Sequence, residues 1–208
     1  MNTHPRRIRQ GVVAILAGAL ALPAMWTLAP LTAHAATACT RTVTGSHTGV
    51  LNVAANQKLC LRNAVQDGAV NVAPGGSLSV VGSIITGAVT LKSGYLTFDF
   101  CGSKTIRGAI SATGAKGAVL IGGTAACPAN NIDGAVTLNA NLAGVKLAGN
   151  HIAGAVTASA NRVKTTISGN RINGALTCTT NVPAPTDAGV KNTVGGGRSG
   201  QTCAAATF

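Results

Sequence analysis

Gly149-Asn150-His151-Ile152-Ala153-Gly154-Ala155-Val156-Thr157 and Gly169-Asn170-Arg171-Ile172-Asn173-Gly174-Ala175-Leu176-Thr177 repeat one pattern at a distance of 20 residues. Working outward, the second glycine of each stretch aligns with Gly49, Gly68, Gly87, Gly108 and Gly134 before it and with Gly196 after it. Small and β-branched residues follow most of these glycines, as in Gly68-Ala69-Val70, Gly87-Ala88-Val89 and Gly134-Ala135-Val136. The steps between glycines are 19, 19, 21, 26, 20, 20 and 22 residues, a period near 20 with one insertion around Cys127. A fixed period of this size denotes a solenoid or an array.

Each repeat also carries a second short strand that ends in an apolar residue, a spacer, glycine and often asparagine, as in Leu147-Ala148-Gly149-Asn150 and Ile167-Ser168-Gly169-Asn170. Two or three strands joined by tight turns therefore fill one coil. Alternation places Ile132, Ile152 and Ile172 inward on one face and Val145, Leu147, Val163 and Ile167 inward on another. The expected fold is all-β: a right-handed parallel β-helix of about eight coils, with the repeats of residues 36–208 forming one domain. A leucine-rich repeat fits Leu142 to Ile152 but not the neighbouring coil, and a left-handed β-helix has too short a period.

The first 35 residues read as a secretory signal peptide, with Arg6, Arg7 and Arg9, an apolar run from Gly11 to about Leu31, and Ala33-His34-Ala35 before Ala36. Pro23 and Pro30 interrupt the run and argue against a membrane anchor. Cleavage would remove three of the 16 basic residues and none of the four acidic ones, leaving 13 against 4, a net charge of +9. The exported chain is thus expected to be extracellular, probed by polyanions and free of the membrane. The scarcity of aromatic residues for stacking on bases disfavours nucleic acid.

Six cysteines, Cys39, Cys60, Cys101, Cys127, Cys178 and Cys203, follow the leader. An even count in an exported chain points to three disulfides. Of the 15 connectivities that six cysteines allow, pairing of sequence neighbours (Cys39 with Cys60, Cys101 with Cys127, Cys178 with Cys203) would staple the two ends and the insertion. The spacing lacks the close pairs of a zinc site, and neither a metal nor another cofactor is expected.

Stacked coils place equivalent positions roughly 4.8 Å apart. Three residues before the glycine the row reads Thr105, Asn131, His151, Arg171, and one residue before it Arg107, Asp133, Ala153, Asn173, both rows pointing outward on one face. The row Asn130, Asn150, Asn170 is explained by asparagines hydrogen-bonding one another at a turn. Hydrolysis of a glycan by paired carboxyls requires a separation of about 5 to 9.5 Å. Asp67 and Asp133 stand three coils apart, roughly 14 Å, and Asp99 belongs to another face, so a glycosidase is disfavoured. β-Elimination from a uronate needs a group that neutralises the carboxylate and a base for the neighbouring C–H. Asn131 and Arg171 suit the first role, and His151, or the outward-facing Tyr95, the second. Asn173, Arg107, Lys146 and Lys164, with Lys92, Lys104 and Arg162, are expected to line a groove that follows the anionic chain.

The stretch from Gly169 to Cys178 and the ending from Pro183 to Cys203 resemble small exported repeat proteins of actinobacteria. That resemblance covers most of residues 39–208 and implies the β-helix; since some small actinobacterial exported proteins are hyaluronan lyases, it also implies lyase chemistry. The leading expectation is a secreted, monomeric polysaccharide lyase acting on a uronate polymer such as hyaluronan. The alternative is a non-catalytic extracellular β-helix that binds cell-wall or matrix polyanions. A third reading, a face that templates ice, would need a flat threonine array; Thr90, Thr137, Thr157 and Thr177 recur three residues after their glycines with Ser111 in the Gly108 coil, a row that reads as only one residue wide.

Overall fold

The computed structural model describes residues 38–103 and 105–208. The expected leader and Lys104 lie outside the described residues. The described residues form one compact unit, a parallel β-solenoid of about eight turns. Among the described residues the only helical piece is one 3-10 turn, Thr202–Ala204.

Each turn passes over three faces. The first carries Ser77–Val81, Phe98–Cys101, Val119–Ile121, Val145–Ala148 and Thr165–Ser168. The second carries the two-residue strands Ile84–Ile85, Thr105–Ile106, Asn131–Ile132, His151–Ile152, Arg171–Ile172 and Thr193–Val194. Lys58–Asp67 runs across the corner between these two faces and joins them into one sheet of 13 strands, with Arg41–Thr48 paired alongside it. The third face is an eight-stranded sheet of Leu51–Val53, Val70–Val72, Val89–Leu91, Ile110–Thr113, Val136–Asn139, Val156–Ser159, Leu176–Thr179 and Arg198–Ser199. Every pairing between these strands is parallel and in register with the repeat.

The repeat glycines form the corner between the second and third faces, and their stacking explains the period. A Cβ on Gly154 would lie 2.6 Å from the carbonyl carbon and oxygen of Gly134, and one on Gly174 would meet Gly154 in the same way. Two backbones therefore approach more closely than any side chain permits. The corner between the first and second faces turns on left-handed residues such as Gly149 and Gly169, each followed by a buried asparagine.

These asparagines satisfy the polar backbone at the corner. The Nδ2 of Asn130 donates to Asn150 Oδ1 (2.8 Å), Asn150 to Asn170 (3.1 Å) and Asn170 to Asn192 (2.9 Å). A second ladder, which the 20-residue reading passed over, fills the corner between the third and first faces. Asn141 donates to Asn161, Asn161 to Asn181 and Asn181 to Gln201, each at 2.8 Å. Each inner amide in both ladders also donates to a main-chain carbonyl of the preceding coil, as Asn161 does to Leu138 O (3.0 Å).

The core is a set of aliphatic columns. Ile132, Ile152 and Ile172 are buried as expected, and so are Val145, Leu147 and Ile167. Val163 is not in that column: it is only partly buried, and Thr165 pairs with Val145 instead. Val163, Thr165 and Ile167 alternate alike, so the pattern does not mark which of the first two begins the column, while Ile167 pairs with Leu147 as expected. Phe98 and Phe100, both buried, pack with ring centroids 5.5 Å apart.

All three expected disulfides form, Cys39–Cys60, Cys101–Cys127 and Cys178–Cys203, with Cα–Cα distances of 5.8, 4.5 and 5.8 Å. They fit an oxidising compartment. At the C-terminal end Phe208 is buried against the last coil, and Arg198 Nη2 donates to the Asn192 carbonyl oxygen (2.7 Å).

Two outcomes follow for stability, both read by urea unfolding. Gly154→Ala should cost at least about 3 kcal/mol through overpacking against the coil below, while Gly144→Ala, where nothing lies within 4 Å of the added Cβ, should stay within about 0.5 kcal/mol. Asn161→Ala should cost about 3 kcal/mol, because it strands the Asn141 amide and the Leu138 carbonyl at once.

Candidate functional site

The second face assembles the strip that the alignment anticipates. Asn131 pairs with His151 and His151 with Arg171, so these three stand on successive rungs, roughly 4.8 Å apart. Ile132 pairs with Ile106, which puts Asn131 beside Thr105. His151 Nδ1 lies 3.0 Å from Asn131 Oδ1. A side-chain carbonyl oxygen only accepts, so Nδ1 carries the proton and a neutral ring keeps its lone pair on Nε2. Arg107, Asp133 and Asn173 lie in the adjacent row, and all three are exposed.

Tyr95 is not on this strip and does not face solvent. It is completely buried and donates through its hydroxyl to Asn141 Oδ1 (3.2 Å). Burial pushes the phenol pKa well above its ordinary value, which removes it as a base at neutral pH. The cause is local geometry. Gly94 is left-handed, φ 92°, and turns the chain so that the next residue enters the interior corner that Ala115, Asn141, Asn161 and Asn181 occupy in later coils. Ala115 is small enough to let the phenol reach past its own neighbour to the head of the asparagine ladder.

The acids remain apart. Asp67 Oδ1 accepts from the Thr86 hydroxyl (2.8 Å) on the second-face side. Asp99 lies on the first face between Ser79 and Leu120, where desolvation raises its pKa while Lys58 and Arg62 pull it down. Among the described residues Asp99 lies on the first face and Asp67 and Asp133 lie three coils apart, so no pair of these three stands at hydrolase spacing. All six cysteines are in disulfides and hold no thiolate for a metal.

Lys146 and Lys164, expected to line a groove along the anionic chain, lie on another face from His151. Lys146 sits on the first face between Leu120 and Thr166, and Lys164 precedes the next strand of that face. Arg107, next to the His151 row on the second face, stands apart from Lys92, Lys146, Arg162 and Lys164. They gather instead along the edge where the third face turns into the first. Main-chain bonds there put Leu142 above Lys116's neighbour Ala115, Arg162 above Asn141 and Val182 above Asn161. The outward column accordingly reads Leu96, Lys116, Leu142, Arg162, Val182, with all five exposed. Lys92 flanks the column on one side and Lys164 and Lys146 on the other. The alignment could have shown Lys116, since it stands 26 and 46 residues before Leu142 and Arg162, at the same insertion-adjusted step as the glycines.

No family model, no curated protein and no solved structure matches the chain. The functional reading therefore rests on what the faces of a basic, disulfide-stapled solenoid present.

Because Tyr95 is a buried hydrogen-bond donor, Tyr95→Phe should lower unfolding free energy by about 1 kcal/mol in urea titration. The same variant should bind or process any glycan like the parent, measured on the same preparation.

Proposed function

We propose that the protein works outside the cell as a non-catalytic β-solenoid that holds an anionic, uronate-type glycan along its basic edge. The column from Leu96 to Val182 carries this reading. Lys116 and Arg162 stand two rungs apart, about 10 Å, with the exposed Leu142 between them. A uronate polymer of alternating composition, such as hyaluronan, offers one carboxylate per disaccharide and a less polar sugar face between carboxylates. Cation, apolar step, cation is the complementary order. Lys92, Lys146 and Lys164 widen the positive field around that line, which favours encounter with a polyanion. The export leader expected over residues 1–35 and the three disulfides support action in an extracellular setting.

A second reading, a lyase acting on hyaluronan or a related polymer, draws on the Asn131–His151–Arg171 row. The 3.0 Å contact to Asn131 would orient His151 with Nε2 as the base, while Arg171 on the next rung would neutralise the substrate carboxylate. The row is open and two residues wide, with Tyr95 no longer available, and this favours holding a chain over cleaving it.

One set of incubations with hyaluronan, chondroitin, pectate and alginate distinguishes the two. The expected result is retention that weakens with salt and falls about tenfold in Lys116→Ala/Arg162→Ala, a loss of about 1.4 kcal/mol, with His151→Ala unchanged. Ultraviolet absorbance from unsaturated products that disappears in His151→Ala would establish the lyase reading in its place. Retention indifferent to salt and to both cations would remove the edge as the binding site.

A further inference from the structure

On this strongly basic chain, one face has outward columns that are free of charge from the Ser111 coil onward, Lys92 standing one rung before Thr113. Its outward column, rung by rung, is Asn52, Asn71, Thr90, Ser111, Thr137, Thr157, Thr177, Ser199, an unbroken parallel register over eight strands of the third face. The row noticed in the sequence is one column of three. On the C-terminal side of it run Thr113, Asn139, Ser159 and Thr179, paired in register. On the other side, one residue after the stacked glycines, runs a column of alanines that includes Ala109, Ala135, Ala155 and Ala175. From Ser111 to Thr179 the face is therefore a grid of methyl, hydroxyl, and hydroxyl or amide groups, with no lysine, arginine or acid in any of the three columns.

We propose that this face binds ice, or the ordered water from which ice grows. The two repeat distances are set by the backbone: about 4.8 Å from rung to rung, and about 6.6 Å between alternate outward residues of one strand. Both are of the order of the distances between water oxygens on a crystal face of ice. Threonine supplies a hydroxyl to water and a methyl group that orders it, and β-branching restricts its rotamers so that neighbouring rungs repeat the same geometry. Side-chain bonds hold the pattern further: Ser159 Oγ donates to Asn139 Oδ1 (2.9 Å), and the Thr177 and Ser199 hydroxyls lie 3.0 Å apart. The glycine corner directly beneath the alanine column keeps successive rungs from sliding.

Other occupants fit less well. An anionic polymer has no cation to meet here. A neutral crystalline polysaccharide is held by aromatic platforms, yet Tyr95, Phe98, Phe100 and Phe208 are all buried. A second protein copy would bury large apolar side chains, and of the exposed ones only Val50, at the first rung, lies in these columns.

The test is growth of single ice crystals in a solution of the purified protein, together with the recrystallisation rate of a frozen film. The expected results are faceted crystals that stay fixed over a gap below the melting point, and grains that do not coarsen. Thr157→Lys, a long charged side chain in the middle of the grid, should abolish both effects while circular dichroism and the unfolding midpoint stay at parent values. Thr137→Lys on the neighbouring rung is read identically should the first variant fail to fold. Arg162→Ala on the basic edge should keep full ice activity while glycan retention drops, so the two surfaces fail separately. Round crystals as in buffer, a Thr157→Lys variant with parent activity, sedimentation showing a dimer that Thr157→Lys dissociates, or adsorption to chitin or cellulose particles in place of ice would overturn the proposal.

Discussion

Where the chain passes from the second face to the third, one backbone lies against the next with no space for a methyl group. Gly134, Gly154 and Gly174 occupy this corner, and each would place an added Cβ against the carbonyl of the glycine one coil earlier. The contact sets the height of a coil and the lateral position of everything that leaves it. Because the next strand begins two residues further on, inward valines and leucines stack over one another, and outward threonines do the same. The regularity of the outer surfaces is thus a consequence of a packing limit at one corner.

The other two corners are solved by polarity. A solenoid this slender has a narrow apolar core, and its turns bring main-chain amides inside where water cannot reach them. Buried asparagines answer these groups with one side chain: Asn150 accepts from the main-chain N–H of Asn130 and donates both to Asn170 and to the carbonyl of Ile121. A network satisfied to this degree rigidifies the coil; a half-satisfied one would be worse than an apolar corner. The disulfides act where the repeat is interrupted, at the first coil, at the Cys127 insertion and at the last coil.

The glycine period, the inward isoleucines, the disulfide pairing and the adjacency of Asn131, His151 and Arg171 were all legible in the sequence, because each depends only on residues a constant step apart. What escaped depended on where within the coil a turn falls. Tyr95 reads as an exposed strand flank until Gly94 is seen to turn left-handed ahead of it, which sends the ring inward. The second asparagine ladder follows Ala140, Ala160 and Thr180, non-glycine residues with φ near 50°, so no glycine announced that corner. Lys146 and Lys164 were gathered into one groove with Arg107 by charge alone, and charge carries no information about which of three faces a residue occupies. The width of the threonine face was hidden for a related reason: its outer columns mix alanine in one with threonine, asparagine and serine in the other, residue types that no single pattern unites.

Both amide ladders run one way. Each Nδ2 points to the oxygen of the following coil, ending at Gln201 in one ladder and at Asn192, closed by the Phe208 carbonyl, in the other. A coil near the middle therefore has each corner amide held from both sides, by a main-chain carbonyl of the preceding coil and by the side-chain oxygen about 20 places further along the chain. A polypeptide emerging from its N-terminus would hold open-ended donors at every length until the final segment arrived. The last coil therefore closes both rows of amides at once, Gln201 receiving one and Asn192 with the Phe208 carbonyl the other.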